Sequence, residues 1–306
     1  MKQTDKKRYL GYTLRQNLEA YSFLLPFILG VCVFLAFPIY LSVKLAFGEL
    51  ASVRGFQVEW SGVQNFVDIF LVDSTFLPTF LQVTGETLLR VPLIVIFSLL
   101  LAVMLNKKIR CRSLFRTILF LPFLLGSGYI MQMLNEQGIT AGALSLQDSA
   151  IFPSEFVRYM GETVAAAIDA FFGEIVTVLW NSGVQILIFL SGLQSISSAL
   201  YESARVDGAT EFEMFWKITM PMIAPITVLN IIFSLVNMFT ASDNLLLTYI
   251  DDLAFRQMKW EAASAIGWVY FVFILLLLGL VFLFTRHLSV QDGMRTKGRR
   301  ARSWKK

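Results

Sequence analysis

The sequence predicts an all-α membrane protein with six transmembrane helices. Three observations carry that reading. The 306 residues are 56% hydrophobic and only 16% charged, where a soluble domain carries roughly 25% charged residues. The charges are clustered: residues 20–43, 117–135, 175–201, 218–242 and 262–285 hold no Asp, Glu, Lys or Arg, and 91–106 is a shorter run of the same kind. Lys and Arg lie mostly to one side of these runs. Six such runs as buried helices of a soluble core would leave too little polar surface to cover that core.

A spanning helix needs about 20 apolar residues, which five runs supply. The sixth reaches that length by extending back through Glu86 and Arg90, four apart and able to face each other on a helix. The spans are placed at about 22–47, 82–105, 117–135, 175–194, 221–241 and 262–285, in one transmembrane domain over 1–306. The first begins after a basic stretch and is too long for a signal h-region, so it reads as a retained span. The segment between spans 1 and 2, with "VEWSGVQNFVDIFLVD", suggests short surface helices. In 136–174, Phe156, Met160, Val164, Ile168 and Phe171 recur at helical spacing. They suggest an amphipathic helix on the interface or an outward extension of span 4.

Orientation follows from the positive-inside rule. The N-terminal segment, the loop between spans 2 and 3, the segment between spans 4 and 5, and the tail from Arg286 hold 20 of the 26 Lys and Arg residues. Both termini are therefore expected in the cytoplasm. The basic tail beside the last span reads as a topology anchor touching anionic lipid, not as a nucleic-acid site. Cys32 and Cys111 fall in a span and a cytoplasmic loop, with no metal-ligand spacing. His287, the only histidine, sits at a span end, which suits an interfacial role better than catalysis. There is no Gly-x-x-x-x-Gly-Lys-[Ser/Thr] loop and no nucleophile–base constellation. No catalytic role, metal or cofactor is assigned, and any ATP hydrolysis belongs to another chain.

"ESARVDGATEFEMFWKITMP", residues 202–221, places six charged side chains between spans 4 and 5. Ala199–Asp207 reads as a short helix, with Gly208 at the left-handed position past its end. Thr210 then caps a second helix in a Thr-x-x-Glu box with Glu213. Glu213 and Lys217 stand in the favoured i, i+4 order. Phe212, Phe215, Trp216 and Thr219 are expected on one face, and Pro221 opens span 5. Such an L-shaped pair is either a capped linker on the headgroups or a docking element for a cytoplasmic partner.

The pattern Glu202-x-Ala204-x-x-x-Gly208, then nine residues, then Ile218-x-x-Pro221, resembles the "EAA" signature of permease subunits of binding-protein-dependent ABC importers. Ser203 replaces the usual Ala and Met220 a common Leu. "AYSFLLPFILGVCVFLAFPIYLSVKLAF", "LLLAVMLNKKIRCRSLFRTILFLP" and "LWNSGVQILIFLSGLQSISSALYESARVDGAT" look like spans and loops of its carbohydrate branch. Residues 136–174 depart from the usual pattern.

The resemblance implies a type I ABC-importer permease architecture in a prokaryotic plasma (inner) membrane, with 195–220 as the coupling loop. Glu202, Ser203, Ala204, Asp207, Gly208, Ile218 and Pro221 would then couple to an ATPase, with Glu202 near a basic residue of that partner. The implied partners are a second homologous permease, two ATP-binding subunits that bind ATP and Mg, and an extracytoplasmic solute-binding protein. A sugar path would need polar groups inside the membrane. Trp180, Asn181 and Gln185 of span 4 and Asn230, Ser234 and Asn237 of span 5 offer them, and helix–helix hydrogen bonding is the competing role. Asp243, Asn244, Trp268 and Tyr270 fall nearer the outer mouth, the two aromatics suiting interface anchors. The alternatives are an ATP-independent secondary carrier or channel, against which the uncharged spans argue, and a membrane-embedded enzyme, which lacks a constellation.

Overall fold

The computed structural model describes residues 21–52, 57–107, 114, 117 and 161–303. In chain order the elements are α1 Tyr21–Ala46, β1 Gly48–Ser52, β2 Gln57–Trp60, α2 Gln64–Leu71, α3 Phe76–Asn106, α4 Glu162–Asn181, α5 Gly183–Ser195 and α6 Ser198–Val206. They continue with α7 Glu211–Phe239, α8 Leu245–Asp251 and α9 Trp260–Ser303.

Among the described residues α1, α3, α7 and the Trp260–Thr285 part of α9 are long and apolar enough to cross a membrane. Ala166–Asn181 with Gly183–Ser195 makes a fifth, bent by 54°. The expected third span, 117–135, lies outside the described residues from 118 onward, as do Phe156, Met160 and Cys111. The helical spacing at Val164, Ile168 and Phe171 falls within α4, which continues unbroken to Asn181. The bend follows from side chains competing for backbone: Ser182 Oγ donates to the Val178 carbonyl and Asn181 Nδ2 to that of Thr177 at 2.9 Å. Both are i−4 bonds of the kind that bend helices.

The chain forms two compact units. The first, residues 1–77 and 249–271, holds the segment between spans 1 and 2. That segment contains a hairpin as well as α2, which corrects the expectation of surface helices alone. β1 pairs antiparallel with β2, Gly48 opposite Trp60 and Leu50 opposite Val58. Glu49 faces Glu59 in this register, an unfavourable like-charge pair. The pairing is held from outside itself: the Leu50 N–H donates to Glu261 Oε1 at 2.9 Å. Asn65 Nδ2 reaches the carbonyls of Leu45, Ala46 and Gly48 at 3.3, 3.1 and 2.8 Å. One amide thus satisfies carbonyls left open at the end of α1. Asp73 caps α3 through Oδ1, bonded to the N–H groups of Thr75 and Phe76 at 2.8 and 3.1 Å. Its Oδ2 accepts the Tyr249 hydroxyl at 2.6 Å. Partial burial, then this bond, raise the Tyr249 pKa above that of an ordinary phenol.

The second unit, residues 78–248 and 272–306, centres on α5 packed along α7. Ile186, Phe189, Ile223 and Phe239 are buried there. A Cβ on Gly192 would lie 2.9 Å from Ile226 Cγ1, so only glycine permits this approach. Asn244 joins the end of α7 to the start of α8. Its Nδ2 donates to the Phe239 carbonyl at 3.1 Å, and its Oδ1 accepts from Leu246 N–H at 2.9 Å.

Replacing Asn65 by Ala is expected to remove the two N–H groups shared among these carbonyls and lower stability by about 1–3 kcal/mol. Thermal unfolding of the purified protein in detergent would read this, and an unchanged midpoint would show that water replaces the amide.

Candidate functional site

The segment between spans 4 and 5 is built as two capped helices. α6 ends at Val206, and Gly208 at φ +80 takes the left-handed position. The Ala209 N–H donates to the Ala204 carbonyl at 2.9 Å and the Gly208 N–H to that of Arg205 at 3.1 Å. This is a complete Schellman closure. Thr210 starts α7 with its side chain accepting from Glu213 N–H, while Glu213 Oε2 accepts from the Thr210 N–H at 3.0 Å. That bond, with Lys217 Nζ at 3.2 Å from Oε1, holds the Glu213 carboxyl below the usual carboxylate range.

Two further contacts set the angle of the pair. Arg205 Nη2 donates to Glu211 Oε1 across the bend at 3.1 Å. The Tyr201 hydroxyl and Thr219 Oγ1 share a hydrogen bond of 2.8 Å. Glu202, Ser203, Asp207 and Gly208 are exposed on the outside of the L, and Ala204 is half-buried. Ser203 Oγ donates back to the Leu200 carbonyl, which keeps the departure from Ala within its own helix.

Phe212, Phe215, Trp216 and Thr219 do not share one face. Phe212 and Trp216 are exposed, their ring centroids 6.2 Å apart, whereas Thr219 is buried with Met214. The reason lies in the backbone. Phe215–Thr219 is a wide turn in which the Met220 N–H bonds to the carbonyl of Phe215, five residues back. It shifts the phase of the helix just before Pro221. Ile218 is half-buried, and Pro221 stands exposed at the first turn after the wide one.

Within the membrane helices, hydrogen bonds bring five of the six polar candidates onto one seam. Gln185 Nε2 donates to Ser234 Oγ at 3.1 Å, and Asn230 Nδ2 donates to the Gln185 carbonyl at 3.3 Å. Asn237 Nδ2 and Asn181 Oδ1 are 3.4 Å apart. Gln185, Asn230 and Ser234 are fully buried, so their geometry is that of interhelical bonding. Asn181 and Asn237 are half-buried at one end of the seam, and Trp180, the residue before Asn181, is half-buried too. Gln185 Oε1 and Asn230 Oδ1 are buried without a partner. Of the outer candidates, Trp268 Nε1 donates to Ser42 Oγ at 3.2 Å, Tyr270 is buried, and Asn244 is the helix connector described above.

One feature escapes sequence reasoning. Arg90 meets Glu86 at 3.1 Å, as its spacing suggests, but it also donates from Nε to both oxygens of Glu174, at 2.9 and 3.2 Å. This ion pair ties α3 to α4. Glu174 borders a charge-free run, and that position was the available signal. No three-residue cluster of metal-ligating side chains occurs among the described residues.

Residues 71–292 match the family described as the binding-protein-dependent transport system inner membrane component. The chain belongs to that family. It is a multi-pass membrane permease subunit and not an enzyme. The permease is 29% identical over 278 residues to the probable ABC transporter permease protein YesP of Bacillus subtilis (strain 168), covering 85% of this chain and 88% of that one. It is 26% identical to the lactose transport system permease protein LacF of Rhizobium radiobacter, covering 85% and 93%. It is 30% identical to the arabinooligosaccharides transport system permease protein AraP of Halalkalibacterium halodurans, over 70% and 66% of the two chains. Its fold matches a solved chain of a bacterial ABC transporter involved in the import of the acidic polysaccharide alginate. The TM-score is 0.65 at 23% identity, covering 92% of the permease and 99% of that chain. The type I importer permease architecture is therefore the fold of this chain.

Neutralising Arg90 is expected to leave Glu86 and Glu174 without their cation and to cost about 1–3 kcal/mol, since the groups are partly exposed, whereas neutralising Glu174 leaves Arg90 its Glu86 partner and is expected to cost less. The double variant Arg90→Gln/Glu174→Gln should regain part of that loss. Denaturation midpoints of the three variants in nanodiscs would measure the coupling, and strictly additive losses would show that the pair is not coupled.

Proposed function

We propose that this permease is one half of the membrane pathway of an ATP-driven importer for a sugar or oligosaccharide. The other half is a second homologous permease. Two ATP-binding subunits, which bind ATP and Mg, dock from the cytoplasm, and an extracytoplasmic solute-binding protein delivers the substrate. The sidedness of Lys and Arg supports cytoplasmic N- and C-termini. The named sugars of the relatives LacF and AraP support the substrate class.

The observation that carries this reading is the braced L between spans 4 and 5. A segment closed by a Schellman motif, a capping box and a hydroxyl bridge to Thr219 moves as one body. A push on α6 from an ATPase therefore reaches both flanking spans, which a loose linker would absorb. In this assignment Glu202, Ser203, Ala204 and Asp207 meet the ATPase, Gly208 sets the bend, and Ile218 and Pro221 join the bend to span 5.

The substrate path runs along the polar seam. Trp180, Asn181 and Asn237 offer an aromatic face and amides at its half-buried end. Gln185, Asn230 and Ser234 hold the two helices in register behind them.

Three measurements test the proposal. The tagged permease, extracted in mild detergent, is expected to bring down a second permease and a P-loop ATPase identified by mass spectrometry. Recovery alone with transport retained would favour an ATP-independent carrier. A Gly208→Val variant, forced to φ +80 with a β-branched side chain, is expected to assemble yet lose most transport while ATP hydrolysis persists. Glu202→Lys is expected to reduce ATPase recovery severalfold. Normal transport by a well-expressed Gly208→Val chain would remove the bend from the coupling role.

A further inference from the structure

Residues 60–72 carry a surface that transport does not account for. α2 has three distinct faces. Ile69 is buried, and the Phe66 ring lies 4.8 Å from that of Phe47. Gln64 and Asp68, bonded to each other at 2.9 Å, turn to a polar cleft of about 580 Å³ that also includes Glu49, Asp73, Lys259 and Glu261. The third face is apolar and open: Val63, Val67, Phe70 and Leu71 stand at i, i+4, i+7 and i+8, and Leu71 is 80% exposed. That spacing makes one continuous stripe on a helix. Trp60, 77% exposed, precedes it.

Ring contacts fix where this stripe sits. Trp60 stacks on Phe47, the residue after α1, at 5.6 Å with the planes 6° apart. Phe70 meets Phe76, the first residue of α3, edge-on at 5.3 Å. α2 is thus held against the residue after α1 and the first residue of α3, two helices long and apolar enough to cross a membrane. Tryptophan is enriched where such helices leave the bilayer. Residues 57–72 contain no Lys or Arg, so attraction to anionic headgroups is not the binding force.

We propose that Trp60 and α2 form a monotopic lipid-binding element. Its occupant is the acyl-chain boundary of the leaflet in which spans 1 and 2 are joined. The stripe dips about 5–10 Å into that boundary, and the Gln64–Asp68 face stays in water beside the cleft. The element pins the hairpin and both span ends to the bilayer by apolar burial alone, so its hold is independent of salt and of headgroup charge.

The test uses the full chain in nanodiscs of neutral phosphatidylcholine. Nitroxides are placed at Val67→Cys, Leu71→Cys or Gln64→Cys on a Cys32→Ser/Cys111→Ser background. Power-saturation spectra should show positions 67 and 71 severalfold more accessible to oxygen than to a nickel chelate, and position 64 the reverse, at low and high salt alike. Equal chelate access at all three positions would overturn the proposal. So would shielding of 67 and 71 from both reagents, which marks a protein partner. The unmodified chain provides a second reading. A phospholipid with a photoreactive acyl chain should label Trp60, Val67 and Leu71 and spare Gln64 and Asp68, and no adduct within 60–72 would equally refute it.

Discussion

Lipid offers no hydrogen bonds, and the organisation of this chain depends on that refusal. Every backbone group at membrane depth must be satisfied within a helix, and every charge must leave or be neutralised. The charge-free runs obey the rule directly. Where polarity remains, it is spent on pairing: Arg90 with Glu86 and Glu174, Gln185 with Ser234, and Asn181 with Asn237. These bonds hold one helix to the next in an environment where apolar contact alone gives little preference between neighbours.

The same rule operates at the helix ends, where intrahelical partners run out. Asparagine side chains carry much of this work. Asn65 collects the carbonyls at the end of α1, and Asn244 bonds backward to α7 and forward to α8. Asp73 caps α3 with one oxygen and accepts Tyr249 with the other. Each side chain substitutes for water at a place where a bend must be held in a fixed shape. The braced L around Gly208 repeats that arrangement between two spans, made from a hydroxyl, a carboxylate and a left-handed glycine.

Local chemistry was legible in the sequence wherever it is governed by neighbours within a few residues. The Thr210–Glu213 box, the bend at Gly208, the Glu213–Lys217 pair and the Glu86–Arg90 pair all lie within four positions. What was not legible depends on distant or cooperative partners. Glu174 is 84 residues from Arg90. In the hairpin strands 48–52 and 57–60, Glu49 faces Glu59, and the Leu50 N–H is taken up by Glu261, 211 residues away. The bend at Ser182 comes from two adjacent side chains that choose their own backbone over solvent. The placement of Phe212 and Trp216 was misread because an ideal helical wheel has no wide turns. Among the site residues, the seam from Asn181 to Asn237 was visible as spacing, and its contacts only as geometry.

The wide turn at Phe215–Thr219 has the effect of a one-residue insertion kept inside a helix. One residue corresponds to roughly 100° of rotation in an ordinary helix. Without the turn, Asn230, Ser234 and Asn237 would point about that far from Gln185 and Asn181, with the braced L unchanged. The turn therefore acts as a clutch plate between two surfaces with separate requirements. One is the exposed side of the braced L and the other is the polar seam between α5 and α7. Their angular setting is encoded in Phe215–Thr219, whose last residue also closes the brace to Tyr201, so one short stretch fixes both the shape of the L and the face that α7 turns to the seam.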